Sequence, residues 1–345
     1  MGNYHQGFGH KNRIIPLRRQ DFLQDMRQMN VKSRTLDSRR RCEIAKGPVE
    51  PTSTFIHFPS YTSNMLSAVP KNACDCHIHV YDDRYPVATG ATLFPANATI
   101  SQYRDIQAVT GTTRAVLVTP STYGSDNRSM LAGLRTMGHD ARAVAVIDGN
   151  ESDTELEAMN TAGVRGIRLN LSLGVVGSIG SLAQLAEKIE KFNWHIQVLM
   201  PPDLLAKHQG VFQHLPVPVV FDHFARISPT QVYAHPAHEV VLKLLHDRKA
   251  WVKLSGGYIV SESRTTSDPA LDRLARSFID AASDRVVWGS DWPHATAQAG
   301  VQPMPDNGKQ MQCLVHWARD EATLHRILVT NPEMLYGFTN SSIKR

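Results

Sequence analysis

The 345-residue sequence is poor in cysteine and has no long apolar run. Four cysteines are too few for a disulfide framework in a chain of this length, so a reducing, cytoplasmic location is expected. Each uninterrupted apolar run is only a handful of residues long, whereas a transmembrane helix needs roughly 20. We therefore expect no membrane span, and 42% hydrophobic with 20% charged residues is typical of a globular enzyme.

Positive charge in excess is also lacking outside the N-terminal region. Residues 1–70 carry 11 Lys and Arg against 5 Asp and Glu, whereas residues 71–345 carry 26 against 27. Because this larger part has no basic surplus, nucleic acid is not an expected partner. Residues 1–70 show no sustained helical or strand periodicity, which predicts a poorly ordered basic N-terminal extension followed by one domain over residues 71–345.

Short apolar runs alternate with amphipathic helical windows from Lys71 onward. Eight runs predict strands, at 73–80, 115–119, 143–147, 163–171, 195–200, 217–223, 251–255 and 285–289. Strands that are each followed by a helix predict a parallel sheet covered by helices. Eight strands in about 270 residues, without a glycine-rich phosphate loop, favour a (β/α)8 TIM barrel over an open doubly wound sheet.

The pentapeptide DCHIH ends the first predicted strand. Because side chains alternate along a strand, we expect Asp75, His77 and His79 to face the barrel interior, and Cys74 and Cys76 to pack outward under helices. The carboxyl end of a barrel strand is where such enzymes place their chemistry. The two histidines are therefore candidate catalytic residues, and a chance pair on an exposed strand end is the alternative.

Two further strand ends carry polar groups. His223 ends the sixth apolar run, and Asp291 follows the eighth in the stretch WGSDWPH. Taken singly, His223 could be a hydrogen-bonded core histidine and Asp291 could cap the next helix. In a closed barrel, however, His77, His79, His223 and Asp291 would converge on one point at the active-site face.

With these residues in place, the chain resembles the amidohydrolase superfamily. It resembles most the branch of pyrone-dicarboxylate lactonases and related sugar-lactone hydrolases and isomerases. The resemblance covers residues 71–338 and is carried by the segments DCHIH, VTPSTYGSDN, GVRGIRLN, FDHFAR, VKLSGGY and VWGSDWPH. It implies a (β/α)8 barrel of the amidohydrolase type and a small-molecule lactone as substrate.

Candidate substrate-binding residues lie near the same strand ends. Arg168 and Asn170 share the inward parity of the fourth strand, and Arg168 could bind a substrate carboxylate in two-pronged fashion or form an internal salt bridge. By resemblance, Ser121 and Arg226 also match binding positions. The sequence departs from the pyrone-dicarboxylate lactonases at Gly174, Tyr258 and Leu199, where they carry two arginines and a tyrosine. A monocarboxylate or less charged lactone is therefore expected.

The metal requirement depends on the fourth and fifth strands. Metal-using members of the superfamily place a histidine or a carboxylated lysine at the end of one of these strands. Here His195 begins the fifth strand, Leu199 and Met200 end it, and the fourth carries Arg168. Leu199 and Met200 cannot serve a divalent ion, His195 would lie at the opposite end of the barrel, and the guanidinium of Arg168 would repel a cation. We expect no metal or other cofactor.

The alternative is one zinc ion held by His77, His79, His223 and Asp291. Without metal, Asp291 is the candidate base that activates water, and His77, His79 and His223 are the candidate oxyanion donors. The same groups would also suit a metal-dependent hydrolase, a decarboxylase or an aldarolactone isomerase. A barrel with a vestigial site is a third, non-enzymatic alternative.

Overall fold

The computed structural model of the protein describes residues 68–172 and 178–338. The predicted N-terminal extension lies almost wholly outside the described residues and stays a prediction. The candidate departure at Gly174 also lies outside them.

Eight parallel strands form the centre of the fold, and each is hydrogen-bonded to the next in chain order. They are β1 Cys74–Ile78, β2 Arg114–Val118, β3 Ala141–Ala145, β4 Val164–Asn170, β5 His195–Leu199, β6 Val219–Phe221, β7 Ala250–Leu254 and β8 Val286–Trp288. The segment after β8 joins β1, because the His79 N–H donates to the Trp292 carbonyl (2.8 Å) and the Asp291 N–H to the His77 carbonyl (2.9 Å). The predicted closed barrel is confirmed.

Helices follow the strands and cover the outside of the barrel. In the described part of the chain they are α1 Ile100–Thr110, α2 Arg128–Met137, α3 Asp153–Ala162, α4 Leu182–Glu190, α5 Pro202–Lys207, α6 Gln209–His214, α7 Pro236–His246, α8 Gly257–Val260, α9 Ala270–Ala282, α10 Ala295–Gln298, α11 Asn307–Ala318, α12 Glu321–His325 and α13 Asn331–Tyr336. Capping boxes begin α1 (Thr99 with Gln102) and α3 (Ser152 with Glu155). No helix among the described residues is long and apolar enough to cross a membrane.

The barrel separates two apolar layers. The outer layer lies between strands and helices, where Leu117 of β2, for example, packs against Gly133 of α2. The inner layer fills the barrel and is closed at its amino-terminal end by Tyr336 and Phe338; its strand residues are Cys74, Cys76, Val116, Val118, Val144, Val220, Trp251 and Val287.

The prediction that Cys74 and Cys76 face outward is therefore wrong. The register of β1 against β2 shifts, with Asp75 opposite Ala115 but Ile78 opposite Leu117, so β1 contains one extra residue. This extra residue is a β-bulge, and it reverses which face of the strand the side chains point to between Asp75 and Ile78. Before the bulge the cysteines face inward, and Asp75 faces outward to receive a hydrogen bond from Tyr103 of α1 (3.1 Å). Asp75 thus does not share the face of His77 and His79.

Candidate active site

The structure brings the four predicted catalytic residues together at the carboxyl end of the barrel. The Oδ1 atom of Asp291 lies 3.5 Å from His77 Nε2, 3.9 Å from His79 Nε2 and 3.7 Å from His223 Nε2. All four side chains are buried. A carboxylate oxygen surrounded by three imidazole nitrogens can exchange protons with a small molecule bound among them.

The bulge in β1 aims His77 and His79 into this site. Asp75 stabilises the bulge from outside, because its Oδ1 accepts hydrogen bonds from the backbone N–H groups of His77 (3.2 Å) and Ser290 (2.9 Å). The end of β8 passes close by at Gly289. A Cβ atom at this glycine would lie 2.6 Å from the His77 Cβ and 2.8 Å from its backbone nitrogen. Only glycine allows this approach.

A left-handed turn positions His223 after β6. His223, Phe224, Ala225 and Arg226 all have positive φ angles, between 50° and 60°. Left-handed backbone costs an L-residue roughly 1–2 kcal/mol, and such strain is concentrated at functional sites. The turn brings the His223 ring against Gly256, where an added Cβ would lie 2.8 Å from Nδ1.

His79 and His223 each have a hydrogen-bond partner at Nδ1, the ring nitrogen that points away from Asp291. His79 Nδ1 lies 2.7 Å from the Val118 carbonyl, which can only accept, so Nδ1 carries the proton. His223 Nδ1 lies 2.8 Å from the Ser255 hydroxyl. Burial, with nearby Arg168, lowers the pKa of each of these two histidines to about 3, so both rings are neutral. Neutral His79 therefore presents Nε2 to the site as a hydrogen-bond acceptor.

The pKa of Asp291 is shifted in the opposite direction from the pKa values of these histidines. Burial raises its pKa to about 7, and the hydrogen bond from the Tyr258 hydroxyl to Oδ2 (2.6 Å) opposes part of that rise. Tyr258 is thus a functional neighbour of the candidate base, although the sequence pointed to this position only as a departure from related lactonases. Alternation gives no signal for Tyr258, since it lies on the short helix α8.

A buried charged layer lies directly beneath the histidines and was not predicted. Lys253 Nζ lies 2.8 Å from Gln197 Oε1, 3.2 Å from His77 Nδ1 and 3.4 Å from Asp222 Oδ1. Asp222 Oδ2 accepts from Arg168 Nε and from Gln197 Nε2, each at 2.9 Å. Burial alone raises the pKa of Asp222, but Lys253, His77 and Arg168 together hold it well below its usual range. The one feature of the sequence that could have predicted this layer is the lysine within the otherwise apolar strand AWVKL.

The predicted binding residues lie on β4 (Arg168 and Asn170) or after β2 (Ser121) and β6 (Arg226), toward the end of the barrel that carries the histidines. Asn170 Nδ2 donates to the Ser121 hydroxyl (2.8 Å), which joins the end of β4 to the loop after β2. Arg168 makes the internal salt bridge through Nε, and its two terminal nitrogens have no hydrogen bond to any described residue. Arg226 is half-buried and likewise has no ion pair within residues 68–172 and 178–338.

The donor atoms are compatible with a metal ion. The distance between His77 Nε2 and His79 Nε2 is 3.2 Å, and the three distances to Asp291 Oδ1 are 3.5, 3.9 and 3.7 Å. Ligands bound about 2.0–2.1 Å from a tetrahedral zinc ion lie about 3.4 Å apart. Among the described residues, His77, His79 and Asp291 offer ligand atoms that all lie within 4.8 Å of one another, whereas His223 does not belong to this group. The geometry therefore fits three of the four ligands of the zinc alternative.

Comparison with known proteins agrees with this fold and site. The amidohydrolase family profile matches residues 74–338. The chain is 29% identical over 302 residues to a 2-pyrone-4,6-dicarboxylate hydrolase of Comamonas testosteroni, covering 83% of this chain and 97% of that protein. It is 30% identical over 273 residues to a D-galactarolactone isomerase of Agrobacterium fabrum, covering 78% and 92%.

A solved structure agrees with the fold described above. That structure is of a probable 2-pyrone-4,6-dicarboxylic acid hydrolase from Acinetobacter baumannii, on which this chain superimposes with a TM-score of 0.67 at 25% identity. The match covers 77% of this chain and 100% of that one. The barrel found here therefore has the fold of that solved structure over its whole length.

Proposed function

The chain belongs to the amidohydrolase family, and on that premise we propose that it is a hydrolase that opens the ester ring of a small carboxylated lactone. The observation that carries the proposal is the raised pKa of Asp291 together with its position among three neutral histidines at the barrel mouth. A base with a pKa near neutrality is suited to removing a proton from water. The relatives that act on lactones support the substrate class.

In the proposed reaction, ionised Asp291 takes a proton from water as the water oxygen attacks the lactone carbonyl. The carbonyl oxygen becomes an oxyanion, which needs hydrogen-bond donors placed in advance. When the intermediate collapses, the ring C–O bond breaks and the proton on Asp291 passes to the departing oxygen. The products are a carboxylate and a hydroxyl group on one open chain, with the proton of the new acid released to solvent.

The donor role is assigned to His77 and His223. The prediction that His79 is also a donor needs revision, because its proton is held on Nδ1 by the Val118 carbonyl and its low pKa keeps the ring neutral. In the resting site, His79 Nε2 instead accepts a hydrogen bond from the Nε2–H group of His77. His223 Nε2 would carry a proton if Ser255 donates to Nδ1.

The substrate carboxylate is assigned to Arg168, whose terminal nitrogens have no described partner. Its Nε remains bound to Asp222, so the guanidinium is held in place before the ligand arrives. Ser121, Asn170 and Arg226 lie toward the same end of the barrel and would orient the rest of the ring. One well-placed arginine in the buried part of the site suits a lactone with one carboxylate.

We further propose that hydrolysis does not require a metal. The buried site already has two cationic side chains, Lys253 and Arg168, against two acidic ones, Asp222 and Asp291. A divalent cation would add two uncompensated positive charges to this environment, which is strongly unfavourable in a buried site.

The spacing of the donor atoms nevertheless supports a second candidate, a zinc-dependent hydrolase. His77, His79 and Asp291 would hold the ion, which when bound supplies Lewis-acid polarisation of the carbonyl. The remaining features of the site, including the carboxylate clamp at Arg168, are common to both candidates.

The test is to incubate the purified protein with a panel of lactones in H2¹⁸O and to follow the products by NMR and mass spectrometry. The proposal expects an open-chain hydroxy acid with one ¹⁸O in its new carboxylate. A rearranged lactone without ¹⁸O would instead identify an isomerase. Metal analysis and assays after chelation belong to the same experiment. Activity lost on chelation and restored by zinc would refute the metal-free mechanism.

A further inference from the structure

Lys253 is a charged side chain with no exposed surface, and it lies behind the catalytic face of His77. Its Nζ atom lies 2.8 Å from Gln197 Oε1 and 3.2 Å from His77 Nδ1, and it forms an ion pair with Asp222 Oδ1 at 3.4 Å. A lysine ammonium group has three N–H donors and no acceptor. The ammonium group can therefore donate to Gln197 and to His77 while its charge faces the Asp222 carboxylate.

This arrangement determines which nitrogen of His77 carries the proton. If Nδ1 were protonated, its N–H would face the Lys253 ammonium group at 3.2 Å, with a donor opposite a donor. With the proton on Nε2, Nδ1 has a free lone pair and accepts from Lys253. The lysine thus favours the tautomer with the proton on Nε2.

The opposite side of the ring gives the same answer independently. His79 holds its proton on Nδ1 through the Val118 carbonyl, so its Nε2 can only accept. His77 Nε2 lies 3.2 Å from that acceptor and must be the donor of the pair. The proton positions then form one consistent chain from Lys253 through His77 and His79 to the Val118 carbonyl.

We infer that Lys253 is a positioning residue that fixes His77 in the Nε2–H tautomer, whose proton is donated to His79 Nε2 in the resting site and can be donated to the oxyanion instead once a substrate is bound. The tautomer follows from the resting structure, whereas its use as an oxyanion donor rests on the proposed function. Asp222 Oδ1 lies 3.4 Å from His77 Nδ1 and would, without the lysine, accept a hydrogen bond from a protonated Nδ1. Lys253 reverses the orientation that a carboxylate partner otherwise imposes on a histidine.

The tautomer can be measured by ¹⁵N NMR on full-length protein labelled at histidine, without substrate. Comparison with His77→Gln identifies the His77 signals. We expect a protonated Nε2 and an unprotonated Nδ1 at pH 7. A His77 ring protonated at Nδ1, as a metal on Nε2 would also require, would overturn the inference. Absence of lactonase activity would refute the proposed function but would leave this result unchanged.

The variant Lys253→Met tests the cause. Methionine fills a similar volume without a donor, so the His77 proton should move to Nδ1 and bind Asp222. The kcat should then fall by roughly 10²–10³-fold, as for loss of an oxyanion donor, with little change in KM. Gln197→Met is the matched control, because it replaces another buried polar group of the same layer and should retain the wild-type tautomer. A folded Lys253→Met protein with the wild-type tautomer would contradict the inference, and the wild-type spectrum decides it if that variant does not fold.

Discussion

Replacement of Asp291 by asparagine tests the proposed base most directly. Asparagine keeps the shape of the side chain, and its carbonyl oxygen can still accept from Tyr258, which bonds Oδ2 at 2.6 Å in the native protein. It cannot accept a proton from water at neutral pH. Hydrolysis should fall by about 10²–10⁴-fold, the usual contribution of a general base, which corresponds to about 3–5 kcal/mol of activation free energy. KM should change little, because the proposed ligand contact is made by Arg168 and not by Asp291.

The pH dependence of the native enzyme gives an independent measure of the same group. Burial raises the pKa of Asp291 to about 7, and only the ionised form can act as base. Activity is therefore present above this pKa and is lost as the pH falls through it, with kcat/KM decreasing about tenfold per pH unit on the acidic side. Tyr258→Phe removes a hydrogen bond that lowers the pKa, so the inflection should move to higher pH.

The assay is a pH–rate profile from ring-opening absorbance, with thermal unfolding followed by circular dichroism as the control for folding. If Asp291 only caps the following segment, its replacement should lower stability by ~1 kcal/mol and leave turnover nearly normal. A folded Asp291→Asn protein that hydrolyses the lactone at close to the native rate would refute the assignment. A flat profile between pH 5 and 9 would do the same.

Three further predictions concern neighbouring residues. Arg168→Met should raise KM for a carboxylated lactone far more than it lowers kcat, and should have little effect on a neutral lactone in parallel steady-state assays. Gly289→Ala should displace His77, whose Cβ would lie 2.6 Å from the new methyl group, and both melting temperature and kcat should fall. Burial raises the pKa of Asp75 from 3.8 to about 6, so stability falls as the pH rises through this range. Asp75→Asn should abolish that loss, on the order of 3 kcal/mol, in denaturant titrations at several pH values.

The barrel, and the end of it at which the candidate residues meet, could be predicted from the sequence. The apolar strands are continuous because both faces of a parallel barrel are buried, and this makes them visible as runs. Each of the runs that ends in a polar group, at His79, His223 and Asp291, ends at the same face of the barrel. Parallel strands made that convergence predictable before any contact was known. The catalytic roles of these residues stay predictions.

The inward direction of Cys74 and Cys76 could not be predicted, because it depends on one extra residue in β1. Strict alternation is a reasonable expectation for CDCHI, and nothing in these five letters indicates a bulge. The bulge is stabilised from other elements, by the N–H of Ser290 after β8 and the hydroxyl of Tyr103 in α1. Information of that kind lies in the tertiary structure and not in the local pattern.

The charged layer beneath the site was missed for a different reason. Alternation with Trp251 would have placed Lys253 inside the barrel, but a buried lysine is favourable only if acceptors surround it. Those acceptors come from β5, from β1 and from the end of β6, so the sequence of β7 contains no trace of them. The same holds for the tautomer of His77, which depends on atoms from four different segments.

This shared layer also explains how one arginine can serve both structure and binding. A free arginine loses side-chain entropy when it clamps a carboxylate, and this loss weakens binding. Arg168 has already lost much of that freedom, because its Nε is bound to the Asp222 carboxylate at 2.9 Å in a buried ion pair. Asp222 is in turn held by Gln197 and faces Lys253, which bonds to His77. Arg168, the proposed carboxylate clamp, and His77, the proposed oxyanion donor, are therefore both held against Asp222. A lactone bound as proposed would meet the two groups in a set relative orientation.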